Sequence, residues 1–251
     1  MSATKISIIM PCHNASDFIA DSIVSVINQT YRDWELIVVD DSSTDNSSQI
    51  IISYVKLDNR IKYFRTKSPS GSPAIPRNMG IGFSIGNYIA FLDSDDIWLP
   101  DKLEKQIQYL NSRKVDFVYS YYEKISQNGT RSGRIVKTRK QTNYNSLVKS
   151  NSIPCLTALL SKSLIGNTRF KNIPQEDFCF WLDILRKGGI AYNIEENTAL
   201  YRVSDNSRSA NKLAMFRGYW NVIRNHQHIG LLKSSYYMLT YTVLGILKYL
   251  K

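Results

Sequence analysis

The sequence predicts an α/β fold built on an open, mostly parallel β-sheet with helices on both faces. Three observations carry that prediction. Compact apolar runs alternate with segments of helical period through the first hundred residues, the rhythm of βα units. The run WELIVVD (34–40) is nearly continuous in apolar residues rather than alternating, as in strands covered on both faces. Polar clusters fall at the ends of those runs, where open α/β sheets bind ligands.

The elements follow in order. KISIIMP (5–11) is a β-branched run and opens the sheet. Asn14 and Ser16 stand as caps for a first helix, in which Phe18, Ile19, Ile23, Val26 and Ile27 recur at helical spacing. The second strand is 34–40. Thr44 and Asp45 open a second helix carrying Ile50, Ile51, Tyr54 and Val55, and IKYFRT (61–66) gives a third strand. A loop rich in Pro, Ser and Gly (67–73) leads to a helix from Arg77 to Ser84 and a fourth strand at 88–92. Beyond Asp96 the rhythm loosens. LPDKLEKQIQYLNS forms an amphipathic helix with Pro100 near its start, where proline is tolerated. VDFVYSYYEKI is a strand, and the polar stretch 126–141, with Arg131, Arg134, Lys137, Arg139 and Lys140, is a hairpin or mobile loop. Further strands are expected in LTALLSKSLI and AYNIEENTALYRV, with the helix EDFCFWLDILRKGG between them.

At 251 residues, 43% hydrophobic and 21% charged, the chain has ample length to bury a core. Its formal net charge of +11 points to an anionic partner such as nucleic acid, a phosphorylated substrate or an anionic membrane surface. A soluble protein that is simply basic is the plainer alternative. Three cysteines, Cys12, Cys155 and Cys179, are odd in number and far apart, which fits neither a disulfide framework nor a zinc site. They predict a reducing compartment, and the absence of a signal-peptide pattern before residue 5 agrees. The sequon-like NGT at Asn128 then reads as a turn.

The chemistry is expected at three strand ends: Pro11-Cys12-His13-Asn14, Asp40-Asp41 and Asp93-Ser94-Asp95-Asp96. Crowded carboxylates cost free energy unless a cation or ligand offsets them. Asp93 and Asp95 suit Mg²⁺ or Mn²⁺, which bind through one or two carboxylates together with substrate phosphates. Asp96 and Asp101 are equally suited to a helix start. Asp40 and Asp41 at a strand end suit ribose hydroxyls or a base N–H. Arg77, after a flexible loop, can approach a phosphate or be an ordinary surface arginine.

ISIIMPCHNASDFIADSIVSVINQTYRDWELIVVDDSSTDNS, then PRNMGIGFSIGNYIAFLDSDDIWLPDKL, then QEDFCFWLDILRKGG, in that order, resemble a family 2 glycosyltransferase of GT-A fold. The resemblance spans most of residues 5–203. It implies transfer of a sugar from a nucleotide-sugar donor, with UDP the default carrier, and inversion at the anomeric carbon. It also implies a glycan or polyprenyl-diphosphate-linked acceptor in bacterial surface-polysaccharide synthesis, and no nucleic-acid partner. By it, the backbone around Pro11 and His13 and the side chains of Asp40 and Asp41 hold the nucleoside. Asp93 lies at the ribose, Asp95 holds Mn²⁺ or Mg²⁺ on the diphosphate, and Arg77 assists the nucleotide. Asp177 is the catalytic base, with Glu176 as the competing candidate and helix capping as the plainer role for either. Residues 1–208 form the glycosyltransferase domain, with a nucleotide-binding half at about 1–96 and an acceptor half at about 97–208. Residues 209–251 are a helical extension.

The sequence also departs from that pattern. Cys12-His13 stands where an aromatic residue often precedes the asparagine, and Ser42 replaces a common glycine. Ser204 stands where histidine is frequent, leaving Arg202 or Arg208 to supply a phosphate or acceptor contact. Rival readings are a haloacid-dehalogenase-type phosphatase with Asp93 as nucleophile, a sugar nucleotidyltransferase, and a non-catalytic nucleotide-sugar-binding module.

The C-terminus, IGLLKSSYYMLTYTVLGILKYLK, holds fourteen uncharged residues between Lys233 and Lys248, short of the ~20 that span a bilayer. Apolar residues occupy nearly every face, without a clean stripe. Two readings stand. One is a helix packed on the domain, or on a second subunit in a homodimer. The other is a contact with an anionic membrane surface, made by tyrosines with Arg217, Arg224, Lys233, Lys248 and Lys251. The expected location is cytoplasmic, peripheral at the inner face of the cell membrane.

Overall fold

The computed structural model describes residues 4–203 and 212–247. Its first half follows the expected alternation: β1 (Ile6–Cys12), α1 (Ile19–Ile27), β2 (Trp34–Asp40), α2 (Ser47–Leu57), β3 (Ile61–Arg65), α3 (Ala74–Phe83) and β4 (Tyr88–Phe91). Next come β5 (Ile97–Trp98), α4 (Lys102–Arg113), β6 (Phe117–Ile125), β7 (Arg131–Val136), β8 (Gln141–Asn143), α5 (Tyr144–Leu147), β9 (Leu159–Ser161) and α6 (Lys162–Ile165). The chain continues through α7 (Glu176–Leu185), β10 (Ile190–Arg202), α8 (Lys212–Asn221), a π-helical turn at Val222–His226, and α9 (Leu231–Leu247).

The strands form one ten-stranded sheet in the order β3-β2-β1-β4-β9-β6-β10-β5, with β7 added to β6 and β8 to β10. β3, β2, β1 and β4 are parallel. Beyond β4 the sheet is mixed: β10 runs parallel to β6, but β9, β5, β7 and β8 pair antiparallel with their neighbours. The sheet is open, and each face carries its own core. Ile6, Ile8 and Met10 of β1 pack with α1 and α4 residues on one face, while Ile9 packs on the other with Ala74 and Ile81 of α3 and the aromatic residues of α7. The period of two along β1 divides the cores.

The structure differs from the sequence reading in local details. Asn14 and Ser16 do not cap α1, whose first turn begins after Phe18 without a side-chain cap. LTALLSKSLI is a strand only at Leu159–Ser161. The Ser161 hydroxyl then accepts the Leu164 N–H at 3.2 Å and turns the chain into α6, as serine does at an N-cap. β5 and β8, two and three residues long, are too short for any periodicity to reveal. The 126–141 stretch is a hairpin, its turn closed by Gly129 N–H on Ser126 O at 3.0 Å; Asn128 lies in that turn. All three cysteines are free and buried.

The C-terminal helices explain why no single apolar stripe was legible. One side joins the core through Tyr219, Val222, Ile223 and Met238, and Tyr219 stacks on Phe178 of α7 and on Tyr241 of α9. The opposite side of α9 leaves Leu232, Tyr236, Leu239 and Val243 exposed. Two apolar faces on one helix blur its pattern. Among the described residues no helix is long and apolar enough to cross a membrane.

Candidate active site

The parallel strands bring their carboxyl ends to one edge, and side chains there lace the loops together. Asn14 Oδ1 accepts the Thr44 N–H at 2.8 Å, Ser47 Oγ accepts the Ala15 N–H at 2.8 Å, and His13 Nδ1 lies 2.8 Å from Asp41 O. Ser42 has φ +56°, a left-handed conformation that costs an L-residue roughly 1 kcal/mol. A glycine, the residue the resemblance led one to expect here, would adopt this conformation without that cost. The Ser42 hydroxyl anchors the turn to Thr66 O at 2.9 Å.

Asp40 and Asp41 are neighbours with opposite fates, because successive side chains at a strand end point to opposite faces. Asp40 is buried beneath α2, bonded by Ser43 N–H, Ser48 Oγ and Tyr63 Oη at 2.7–2.9 Å. Burial pushes its pKa up, but those hydrogen bonds outweigh it and hold the carboxyl below its ordinary value. It does not line the cleft, in contrast to the expectation that it faces the nucleoside. Asp41 does line the cleft. It accepts Ser70 N–H at 2.9 Å, Ser70 Oγ at 2.7 Å and Thr66 Oγ1 at 3.0 Å, which ties down the 67–73 loop.

The cleft has a volume of about 1030 Å³ and gathers Pro11, His13, Arg77, Asp93, Asp95, Glu176, Asp177 and Arg202. Its electrostatic centre is Arg77 on α3. The side chain is 3% exposed, with Nη2 on Asp93 Oδ1 at 2.7 Å and Nη1 on Glu176 Oε1 at 2.8 Å. Burial opposes the charge, but the two carboxylates, together with Cys155 nearby, hold the guanidinium firmly protonated. Arg77 is thus neither a surface arginine nor a cation free to meet a phosphate. It clamps the loop after β4 to the first turn of α7.

Asp177 sits beside the clamp in that first turn. α7 is entered through Gln175 at φ +59°, and the Asp177 carboxylate accepts the Phe178 N–H at 2.7 Å. Burial and the neighbouring Glu176 charge raise its pKa to about 6, against the pull of Arg77 and the Phe178 N–H.

Across the cleft, Asp95 is exposed while Asp96 is 1% exposed. Asp96 Oδ1 accepts the Arg202 N–H at 2.9 Å, and Oδ2 is buried without a hydrogen bond. Burial, then the charges of Asp95 and Asp93, push the Asp96 carboxyl well above its ordinary range despite Arg202. An all-oxygen set with excess negative charge and an orphaned carboxylate oxygen fits a hard divalent cation. Among the described residues no three His, Cys, Asp or Glu side chains are grouped so as to hold such an ion by themselves.

Arg202, expected at a phosphate or acceptor, is buried and turned to backbone. Nε donates to Asp95 O at 2.8 Å and Nη1 to Gln127 O at 2.6 Å, while Nη2 lies 3.5 Å from Asp21 in an ion pair. It fastens the acidic loop to the β6–β7 turn. Ser204 and Arg208 lie outside the described residues. The cleft also contains groups that the sequence did not announce: Tyr122 and Tyr201, edge to face at 5.8 Å, and Met215 of α8, whose carbonyl accepts from Gln175 Nε2 at 2.5 Å. They come from separate elements that only the sheet order and the docking of α8 bring together.

A parallel half-sheet with acidic strand ends thus faces a carboxylate pair on α7 across one cleft. The family model "Glycosyl transferase family 2" matches residues 7–169, and the chain belongs to that family. It is 39% identical over 245 residues, 97% of this chain and 94% of its relative, to the UDP-Glc:alpha-D-GlcNAc-diphosphoundecaprenol beta-1,3-glucosyltransferase WfgD of Escherichia coli. In fold it is similar to TarS 1-349 of S. aureus in complex with UDP-GlcNAc, with TM-score 0.73 and 21% identity over 88% of this chain and 64% of that one. It is also similar to the mannosyltransferase PcManGT of Pyrobaculum calidifontis in complex with GDP-Man and Mn²⁺, with TM-score 0.70 and 15% identity over 93% and 69%. The phosphatase, nucleotidyltransferase and non-catalytic readings give way to this family.

Two stability predictions follow from the clamp. Arg77→Met leaves Glu176 and the partly exposed Asp93 without their cation and costs about 3 kcal/mol, read by urea denaturation. For Asp177 the folded pKa is raised above the unfolded value of about 4. Its stabilising proton is therefore fully bound below that value and is lost as pH rises through about 6, so ionisation costs stability at neutral pH. Asp177→Asn should melt higher than wild type at pH 7.5, and the two curves should converge below pH 4.

Proposed function

We propose that this protein is a metal-dependent inverting glycosyltransferase that moves a sugar from a UDP-sugar to a lipid-diphosphate-linked glycan in bacterial surface-polysaccharide synthesis. The observation that carries the proposal is that one cleft joins the Asp93–Asp95 strand end to Asp177 through a buried arginine. The carrier and acceptor rest on the 39% identity to WfgD. Residues 1–96 then serve as the nucleotide-binding half, 97–208 as the acceptor half and 209–251 as an extension, in a protein working at the inner face of the membrane.

In this reading the backbone at Pro11 and His13 and the loop held by Asp41 flank the nucleoside, and Asp93 meets the ribose. Asp95 would hold Mn²⁺ or Mg²⁺, which would supply positive charge against the leaving diphosphate. The acceptor hydroxyl attacks the anomeric carbon from the side opposite the leaving group. As the new C–O bond forms, the bond to the diphosphate breaks, and the electron pair departs with it. Asp177 takes the hydroxyl proton. A base with a pKa of about 6 is ionised at neutral pH yet basic enough to assist proton removal. Glu176, ion-paired with Arg77 at 2.8 Å, is held as its support.

Three measurements test this. Asp177→Asn should cut turnover by about 10²-fold or more with little change in UDP-sugar affinity; if Glu176→Gln gives that pattern instead, the base moves by one residue. Wild-type turnover should rise with pH through about 6 and level off above it. Asp95→Ala should abolish transfer and weaken UDP binding in Mn²⁺, and full wild-type activity in EDTA would overturn the metal assignment.

A further inference from the structure

The exposed side of α9 displays Leu232 at 88%, Leu239 at 65%, Tyr236 at 56% and Val243 at 45% exposure. Their spacing places them in one stripe along the helix. Leu213 and Phe216 of α8 are exposed as well, so the apolar surface spans both C-terminal helices. Charge is distributed along the chain with a sharp break. After Asp205 there is no acidic residue to the C-terminus, while the same stretch holds seven Lys and Arg. Seven of the eleven net positive charges therefore lie in the last 46 residues. Within the described part, Arg217 and Lys233 are exposed and flank the apolar side chains in sequence.

α8 is also seated against the catalytic cleft. A Cβ on Gly218 would lie 3.1 Å from Pro174 Cβ, so the helix rests directly on the loop that leads into Glu176 and Asp177. Ala214 and Met215 line the cleft itself. Whatever covers α8 and α9 therefore adjoins the mouth through which an acceptor reaches Asp177.

We propose that α8 and α9 form a docking face for an anionic lipid bilayer, which presents the cleft to an acceptor carried in that bilayer. The proposal rests on the lipid-linked acceptor reading above. Apolar side chains between basic ones on an interfacial helix match the chemistry of such a surface: the leucines enter the acyl boundary, Tyr236 sits at headgroup level, and the cations meet lipid phosphates. A second copy of the chain fits less well. A two-fold interface would set the same face against itself, and this face has positive charges and no acidic residue to answer them.

The test uses the full-length protein and sedimentation with vesicles of phosphatidylcholine alone or mixed with phosphatidylglycerol. Wild type should bind the anionic vesicles at least tenfold more strongly than the neutral ones, and salt should weaken the binding. Leu232→Ser/Leu239→Ser and, separately, Arg217→Glu/Lys233→Glu should each lower that partition about tenfold or more. These side chains are exposed, so both variants should keep the wild-type melting temperature, and the charge pair tests the face should the leucine pair not fold. Calorimetric UDP binding should be unchanged in the leucine variant. Wild type that ignores anionic vesicles, or either folded variant that binds them like wild type, overturns the proposal. A wild-type dimer that the leucine substitutions dissociate, without vesicle binding, assigns the face to a second copy and overturns it too. Loss of UDP binding by wild type would instead sink the donor reading and leave the vesicle result standing.

Discussion

The structure depends on one buried cation. Arg77 reaches Asp93 at 2.7 Å and Glu176 at 2.8 Å, and in doing so joins two parts of the chain that the sheet alone does not connect. β4 and α7 are separated by more than eighty residues. A charge so deeply buried is tolerated only when carboxylates of good geometry surround it, and breaking either contact would leave an uncompensated ion. The clamp therefore fixes where α7 begins relative to the acidic strand end. It also divides the labour between adjacent carboxylates. Glu176 is ion-paired to the arginine it shares with Asp93, while Asp177, one residue on, feels burial and the Glu176 charge and is pushed up to about 6.

The other half of the site crowds three carboxyl groups at one strand end. Asp93, Asp95 and Asp96 crowd one loop: Arg77 pairs with Asp93, the Arg202 N–H bonds one oxygen of Asp96, and burial with the neighbouring charges pushes the Asp96 carboxyl well above its ordinary range. Arg202 uses its guanidinium on the backbone, at Asp95 O of that loop and Gln127 O of the β6–β7 turn, and so stiffens the acidic segment. The C-terminal helices have the opposite electrostatics, basic throughout and free of acidic residues, and they lie against the loop that leads into Asp177. The molecule thus sets an acidic strand end beside a basic, apolar flank.

Much of the fold was written in the sequence, because it rests on local pattern. β1 to β4 and the helices between them are dictated by continuous apolar runs and by helical periodicity, and the strand-end rule pointed to one edge of the sheet. That Asp41, Asp93, Asp95, Glu176 and Asp177 line one cleft was legible for the same reason: each sits where an apolar run stops or an apolar helix starts. Elements of two or three residues such as β5 and β8 carry too little periodicity to be seen. The mixed character of the sheet beyond β4 depends on pairings between distant strands.

Only tertiary structure decided what the individual side chains do. Asp40 and Asp41 look alike in sequence, yet the alternation of the strand sends one beneath α2 and the other to the cleft. Arg77 reads equally as a surface or a phosphate-binding arginine until α3 packs it between two carboxylates. Asn14 and Ser16 read as helix caps, but the neighbouring loop claims their backbone and side chains first. In α9 the sequence shows apolar residues all round, and packing against Tyr219 and its neighbours separates the buried side from the exposed one. The physical reason is the same in each case. Composition and periodicity fix which segments must be buried, whereas the partner of a polar or charged group is set by whatever distant element lies within about 3 Å of it.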